Sequence, residues 1–200
     1  MLAPGDRDAL SGYLNRISPL APADLAALDA GTRVHSYARG TSFLAAGDRA
    51  VECGIVLAGV MREYYPLADG REVTRNFAGP GDGVGSLSDL ISGEPSRSSV
   101  EAETDARVAQ FPWRTLREAA DRSTAWSRFL AATTERLYLV KARREYELLA
   151  LDAEARYVQF RRRFAAIEDA IALRQVASYV GITPEHLSRL RRRLGDARGE

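Results

Sequence analysis

The sequence has little of what disulfides or metal sites require. Its 200 residues contain one cysteine, Cys53, and two histidines, His35 and His186. One cysteine excludes a disulfide within the chain and a cysteine-ligated cluster, and two distant histidines argue against a zinc or haem site. No apolar run approaches the ~20 residues that a membrane-spanning helix needs. The acidic N-terminus, residues 1–8, lacks a secretory signal pattern, so we expect a cytoplasmic protein without membrane contact.

The patterns of an enzyme active site are also absent. No nucleophile has a nearby base, no metal-ligand spacing is present, and no glycine-rich loop has the form of a P-loop. His35 and Cys53 fall in strand-like segments, where such residues are more often core or surface residues than catalytic ones. We therefore expect a protein that is not an enzyme.

Lysine is nearly missing, since only Lys141 among the 28 basic residues is a lysine. The net charge of +1 hides an asymmetry: residues 1–120 carry 12 basic and 16 acidic side chains, whereas residues 121–200 carry 16 and 11. This split favours a nucleic-acid contact confined to the C-terminal part. Solvated arginine faces would give the same split, so the charge alone does not decide.

The first half of the chain has the pattern of short strands separated by turns. Glycine-containing turns interrupt it at intervals of about ten residues, and Asp69-Gly70 has the composition of a hairpin turn. This spacing predicts a sandwich or barrel. The expected strands are Val34–Tyr37, Cys53–Leu57, Val60–Tyr65, Glu72–Phe77 and Arg107–Phe111.

Beyond Pro112 the pattern becomes helical. Residues 123–149 contain no glycine or proline, and Leu130, Thr133, Leu137 and Val140 follow a three- and four-residue spacing. Such a stripe is typical of a coiled-coil seam, and we expect it to pair two subunits, although a single helix lying on the β domain would show it too. Asp152 has the residue type of an N-cap, which predicts a helix over residues 153–166.

Residues 173–194 have the pattern of a helix-turn-helix. Ala177 is small where two helices must cross, and Gly181 stands at the turn, where a positive φ is usual. Thr183 and Pro184 are expected to cap and open the second helix. This combination is far more specific than amphipathicity alone, and it predicts a helix that enters the major groove of DNA.

The outer face of that second helix carries the predicted contacts. Arg189 can donate two hydrogen bonds to guanine, and Glu185 can accept one from cytosine. Phosphate contacts are expected from Thr183, His186, Arg191 and Arg193, although His186 is equally well interpreted as a simple exposed residue. The run Arg161–Arg163 is expected either to add backbone contacts or to be a solvated face. The predicted DNA-binding set is Thr183, Glu185, His186, Ser188, Arg189, Arg191 and Arg192.

From about Leu20 to Leu194 the sequence resembles the Crp/Fnr superfamily of bacterial transcription regulators. Glu185, Ser188 and Arg189 match an FNR-like base-contacting pattern, and residues 81–85 and 93–99 resemble the phosphate-binding cassette of a cyclic nucleotide domain. The resemblance implies an α+β protein with a jelly-roll-like double-stranded β-helix (β-roll) sensor at residues 1–120, a dimerisation helix at 121–150 and an all-α helix-turn-helix domain at 151–200. Many relatives continue into a β-hairpin wing, and because the sequence stops at Glu200 we expect a wingless variant.

The cassette departs from the cyclic-AMP pattern. Ser86 stands where the resemblance implies a ribose-binding glutamate, and the phosphate-binding arginine would have to be Arg97, one residue late. The candidate effector residues are Gly85, Ser86, Arg97 and Ser98, and a cyclic nucleotide is the candidate effector, which these departures and Asp89 disfavour. The alternative is a degenerate cassette kept as scaffold. An iron–sulfur sensor is excluded, because the FNR-type cysteine cluster is missing.

The sequence thus predicts a homodimeric regulator that binds an inverted-repeat operator in double-stranded DNA. The expected partners are that operator, a second copy of the chain and, as a candidate, RNA polymerase. An effector in the β-roll would gate DNA binding, and no other cofactor or metal is expected. The alternative is a cyclic nucleotide or small-molecule binding module whose DNA-binding end is vestigial.

Overall fold

A computed structural model describes residues 2–29 and 31–196, and these form a β-roll followed by a helical C-terminal part. The roll consists of two antiparallel four-stranded sheets, in the orders β1-β8-β3-β6 and β2-β7-β4-β5. The strands are β1 Arg33–Tyr37, β2 Ser42–Leu44, β3 Glu52–Ala58, β4 Met61–Pro66, β5 Glu72–Ala78, β6 Gly83–Val84, β7 Ser99–Ala102 and β8 Ala106–Pro112. The predicted α+β class with an N-terminal β-roll is confirmed.

All five predicted strands are present, with bounds that differ by at most one residue at each end. Strands β4 and β5 form the expected hairpin, and Gly70 takes the positive φ of +82° that its turn requires. Strands β2, β6 and β7 were not predicted. They are two to four residues long, too short for an alternating pattern to stand out, so only their pairing with distant strands identifies them.

Helices surround the roll and then form the C-terminal part. Helices α1 Pro4–Asn15 and α2 Pro22–Asp29 precede the roll, α3 Leu87–Ser92 interrupts it, and α4 Trp113–Arg122 and α5 Thr124–Ala150 follow it. The C-terminal helices are α6 Ala153–Phe164, α7 Leu173–Val180 and α8 Pro184–Asp196, with a 3-10 turn at Glu168–Ala170. The Asp152 carboxylate accepts a hydrogen bond from Ala155 N–H at 2.8 Å, as expected of an N-cap.

One hydrophobic core joins the roll to the C-terminal helices. Val60 and Phe77 of the roll pack with Phe160, Tyr179 and Leu187 of the helices. The Phe77 ring meets the rings of Phe160 and Tyr179 at centroid distances of 6.2 and 6.0 Å. The helix-turn-helix is therefore held against the sensor by apolar packing, which fixes where its outer face points.

Candidate nucleic-acid interface and ligand cavities

The turn between α7 and α8 has the geometry that the sequence predicts. Gly181 ends α7 with a φ of +79°, and the N–H groups of Gly181 and Ile182 both donate to the Ala177 carbonyl, at 2.9 and 3.0 Å. The Thr183 hydroxyl accepts a hydrogen bond from His186 N–H at 3.2 Å, so it caps α8. Since Ala177 is fully buried, a larger side chain there would push the two helices apart.

Helix α8 separates an apolar inner face from a polar outer face. Leu187 and Leu190 are buried in the shared core. All seven predicted DNA-binding side chains are exposed: Thr183, Glu185, His186, Ser188, Arg189, Arg191 and Arg192. The structure thus brings together the complete set proposed from the sequence and leaves it free to meet a ligand.

Glu185 is held in its charged form at the start of this face. Hydrogen bonds from its own backbone N–H and from the Thr183 hydroxyl lower the pKa of Glu185, and Arg189 lowers it further. A carboxylate in this state accepts hydrogen bonds, which is the chemistry needed to meet a base amine.

Not every predicted arginine is available to phosphates. Arg193 pairs with Glu154 of α6, and Arg161 donates to Glu168 at 3.1 Å. Arg163 donates to Asn76 of β5 at 2.9 Å. Part of the run Arg161–Arg163 therefore holds the helices together and against the roll.

A buried arginine that the sequence analysis did not single out connects α7 to the roll. Arg62 of β4 is 1% exposed, and its guanidinium donates to Glu72, to Glu101 at 2.8 Å and to the Gln175 side-chain carbonyl of α7. Its Nε has no hydrogen-bond partner and lies 3.8 Å from Glu103. The signal that could have found it is a charged residue inside the apolar strand Val60–Tyr65.

Hydrogen bonds to the backbone add to this attachment of α7 to the roll. The Ser178 hydroxyl accepts from Thr74 N–H at 2.9 Å and donates to the Glu72 carbonyl at 2.8 Å. Glu103 accepts from Ala172 N–H, at the start of α7, at 3.0 Å. The first helix of the helix-turn-helix is thereby attached to β5 near its C-terminal end and to the residue after β7 at its N-terminal end.

In the cassette that resembles a nucleotide site, the polar side chains form hydrogen bonds with one another. The hydroxyls of Ser86 and Ser96 donate to the Asp89 carboxylate at 2.7 and 2.8 Å. Burial alone would raise the pKa of Asp89, but these two hydrogen bonds, with Ser88 and the Arg97 backbone, bring it below its ordinary value. A charged carboxylate therefore lies among the groups that would have to receive a phosphate.

The remaining candidate effector residues do not converge on one ligand site. Ser98 donates to Glu63 at 3.0 Å, and the Arg97 side chain is exposed to solvent. Gly85 lines a cavity of about 70 Å³ beside Glu63 and Arg75. Ligand pockets usually span 300–1,000 Å³, so this space is too small for a nucleotide, and Arg97 does not reach it.

A second cavity, of about 540 Å³, lies between the roll, α5 and the end of α6. We call it the junction cavity. Apolar side chains form most of its wall, and Gly79 to Gly85 form one edge. Gly79 brings that edge close to the segment that follows α6, since a Cβ there would lie 2.8 Å from the Ile167 side chain.

Sequence comparison identifies the first half of this architecture. Residues 34–123 match the family model of the cyclic nucleotide-binding domain. No curated protein matches the sequence significantly. The family match covers the β-roll and α4 and ends where α5 begins.

Solved structures share the whole arrangement. FixK2 from Bradyrhizobium japonicum superimposes with a TM-score of 0.72 at 24% identity, covering 83% of this chain and 85% of FixK2. The c-di-GMP-responsive regulator CLP from Xanthomonas campestris gives 0.69 at 20%, covering 88% and 93%. A protein from Eubacterium rectale, described as a Crp/Fnr-family transcriptional regulator, gives 0.68 at 17%, covering 89% and 85%. This chain has the fold of the Crp/Fnr regulators.

Within this Crp/Fnr fold, the predicted seam of α5 faces its own roll across the junction cavity. Leu130, Thr133, Leu137 and Val140 line the junction cavity. A different face is left exposed, with Tyr138, Leu139, Tyr146 and Leu149 at 60–80% exposure. These four residues therefore face the roll across the cavity, as the alternative of a helix lying on the β domain predicts. The exposed face is a second candidate surface for pairing.

Two negative findings apply to the described residues. No helix there combines the length and the apolar character needed to cross a membrane. No group of three or more histidine, cysteine or acidic side chains among residues 2–29 and 31–196 is arranged to hold a metal ion. The predicted absence of a wing concerns residues 197–200, which lie outside the described part.

Proposed function

We propose that the chain is a cytoplasmic, homodimeric, sequence-specific DNA-binding transcription regulator of the Crp/Fnr type. Residues 1–120 serve as sensor, 121–150 as dimerisation helix and 151–200 as DNA-binding domain in this proposal. The observation that carries it is the outer face of α8, where Glu185, Ser188 and Arg189 are exposed together on a capped helix. The fold shared with Crp/Fnr regulators supports the same conclusion.

Dimerisation is proposed through the exposed apolar face of α5. A pair of helices joined there would place two copies of α8 in successive major grooves, roughly 34 Å apart, on an inverted-repeat operator. Contact with RNA polymerase would follow DNA binding in an activator.

An effector would gate this regulator by population shift. It can change DNA affinity only if it binds the DNA-competent and DNA-incompetent arrangements with different affinity. A ligand in the junction cavity would contact both the roll and the end of α6, so its affinity would depend on how these two parts are arranged. The cassette is proposed as scaffold, since the hydroxyls of Ser86 and Ser98 already donate to the carboxylates of Asp89 and Glu63.

The test of DNA reading begins with selection of preferred duplexes from random DNA by the unaltered protein. Arg189→Ala is then compared on the selected duplex and on duplexes with each base pair replaced. We expect a loss of about 1–3 kcal/mol in binding free energy and a loss of preference at one base pair. Arg191→Ala should instead weaken binding to all duplexes alike and reduce its salt dependence by about one ion.

Arg122→Ala serves as the matched control, because this exposed arginine at the end of α4 lies outside α8. It should leave both affinity and sequence preference unchanged. If Arg189→Ala keeps the full preference of the unaltered protein, reading by this face of α8 is wrong.

The second candidate function is a small-molecule binding module whose DNA-binding end is vestigial. The junction cavity favours it, because a space of about 540 Å³ falls within the range of ordinary ligand pockets. If selection from random DNA enriches no sequence while the protein still binds a small molecule, this candidate is favoured over the first.

A further inference from the structure

The junction cavity is a roomy, partly open space that the cassette does not explain. Its apolar wall comes from separate parts of the chain: Phe111 of β8 and Trp113 of α4, Phe129 and Leu137 of α5, and Phe164 at the end of α6. Side chains of this kind provide contact area for an apolar or aromatic ligand body, with few polar groups to satisfy.

Charge in the cavity is concentrated in three arginines. Arg136 and Arg143 of α5 and Arg163 of α6 line it, and the acidic residue lining it is Asp82, whose carboxylate accepts a hydrogen bond from Gly79 N–H at 3.0 Å. Within the described residues neither Arg136 nor Arg143 forms an ion pair, and both are exposed. Two unpaired guanidinium groups beside an apolar space suit a ligand that carries one anionic group.

Thr133 adds an unused polar group to the same wall. Its hydroxyl is covered from solvent and has no hydrogen-bond partner among the residues described. Buried hydroxyls usually have a partner, so this one marks an unused polar group beside the cavity.

From these observations we infer that the junction cavity binds a small amphipathic organic anion, an aromatic or aliphatic body bearing a carboxylate or sulfonate. The body lies against Phe111, Phe129 and Phe164, and the anionic group faces Arg136 and Arg143. This inference rests on the proposed function for its regulatory meaning only, because binding itself does not depend on DNA. It also assigns the effector a site separate from the cassette serines.

The test is fluorescence titration of the full chain with 1-anilinonaphthalene-8-sulfonate and with its neutral counterpart N-phenyl-1-naphthylamine. The double variant Arg136→Gln/Arg143→Gln should weaken sulfonate binding roughly tenfold and leave the neutral probe unaffected. The matched control, Arg122→Gln/Arg128→Gln, removes the same charge from exposed positions outside the cavity and should change neither.

A cavity-filling variant tests the apolar part. Leu137→Trp should weaken both probes, whereas Leu139→Trp, on the exposed face of the same helix, should weaken neither. The arginine variants alter exposed side chains, so they test the inference even if Leu137→Trp fails to fold.

Three results would overturn the inference. The first is equal sulfonate binding by the two double-arginine variants, and the second is full probe binding by a folded Leu137→Trp protein. The third is loss of probe binding as protein concentration rises through dimerisation, which would mean that a second copy fills the cavity. Selection of DNA sequences is measured without probe, so any of these results leaves the DNA-reading proposal standing.

Discussion

Cys53 lies on the wall of the junction cavity, where its Sγ is 3.9 Å from the Phe111 carbonyl. Burial, reinforced by the neighbouring Glu52 carboxylate, raises the pKa of the thiol to about 12. Such a group is almost entirely protonated at neutral pH and is a poor nucleophile.

We expect native Cys53 to react with an aromatic disulfide reagent at pH 8 far more slowly than Cys53 in urea-unfolded protein. The thiolate fraction falls roughly a thousandfold when the pKa rises from its ordinary value to about 12. Absorbance of the released thiolate measures both rates. Equal rates would show that the thiol is accessible and ionised in the folded protein.

Asp89 is the residue that most separates this cassette from an anion site. Because its folded pKa lies below its ordinary value, its charged form stabilises the fold above about pH 4, and that contribution is lost as the pH falls further. We expect Asp89→Asn to lower the free energy of unfolding at pH 7 and to differ less from the unaltered protein near pH 3.

Urea denaturation at the two pH values measures this difference. Asp121→Asn, at an exposed position in α4, is the control and should unfold like the unaltered protein at pH 7. A difference for Asp89→Asn that stays constant between pH 7 and pH 3 would contradict an electrostatic role for the carboxylate.

At the scale of elements, helix α5 carries two unlike faces. One lines the junction cavity with Leu130, Leu137 and Val140. The other exposes Tyr138, Leu139, Tyr146 and Leu149. Four large apolar side chains on one exposed helix face are typical of an interaction surface.

We expect the double variant Leu139→Glu/Tyr146→Glu to be monomeric where the unaltered chain is dimeric. Two carboxylates on each of two facing helices would repel and would have to be desolvated. Sedimentation velocity at several concentrations measures the change. Val51→Glu is the control, since Val51, just before β3, is 65% exposed and Leu139 is 64% exposed. If the α5 variant sediments like this control, the dimer does not form through that face.

At the scale of the whole molecule, the attachment of α7 to the β-roll depends on Arg62. Its guanidinium is surrounded by Glu72, Glu101 and Glu103 and by the Gln175 side chain. Removing one partner of a buried charge cluster is strongly destabilising, because the remaining charges keep the cost of burial without the attraction.

We expect Arg62→Met to lower the free energy of unfolding by about 3–5 kcal/mol and Gln175→Leu by about 1–3 kcal/mol. Urea denaturation followed by circular dichroism measures both. Arg71→Met is the control, because Arg71 and its partner Asp69 are mostly exposed on the β4–β5 turn and such pairs contribute little. If Arg62→Met lowers the free energy of unfolding no more than this control does, water or a rearrangement compensates for the lost Arg62 contacts.

The sequence by itself determined the features that depend on local chemistry. Gly181 adopts a positive φ, Thr183 caps α8, Asp152 caps α6, and the turn at Gly70 joins two strands, because each conformation is set by the residue itself and its neighbours within four positions. The exposed set on α8 followed for the same reason, since helical periodicity assigns its faces.

The tertiary structure alone decided what depends on contacts between distant segments. The side of α5 that faces the roll, the hydrogen bond from Ser98 to Glu63, and the burial of Arg62 beside Gln175 all join residues far apart in the chain. A stripe such as Leu130 to Val140 fits a coiled coil and a domain surface equally well, because periodicity defines an apolar face without defining what covers it. In the tertiary structure the roll lies opposite this stripe, so the residues of the predicted seam line one wall of the junction cavity.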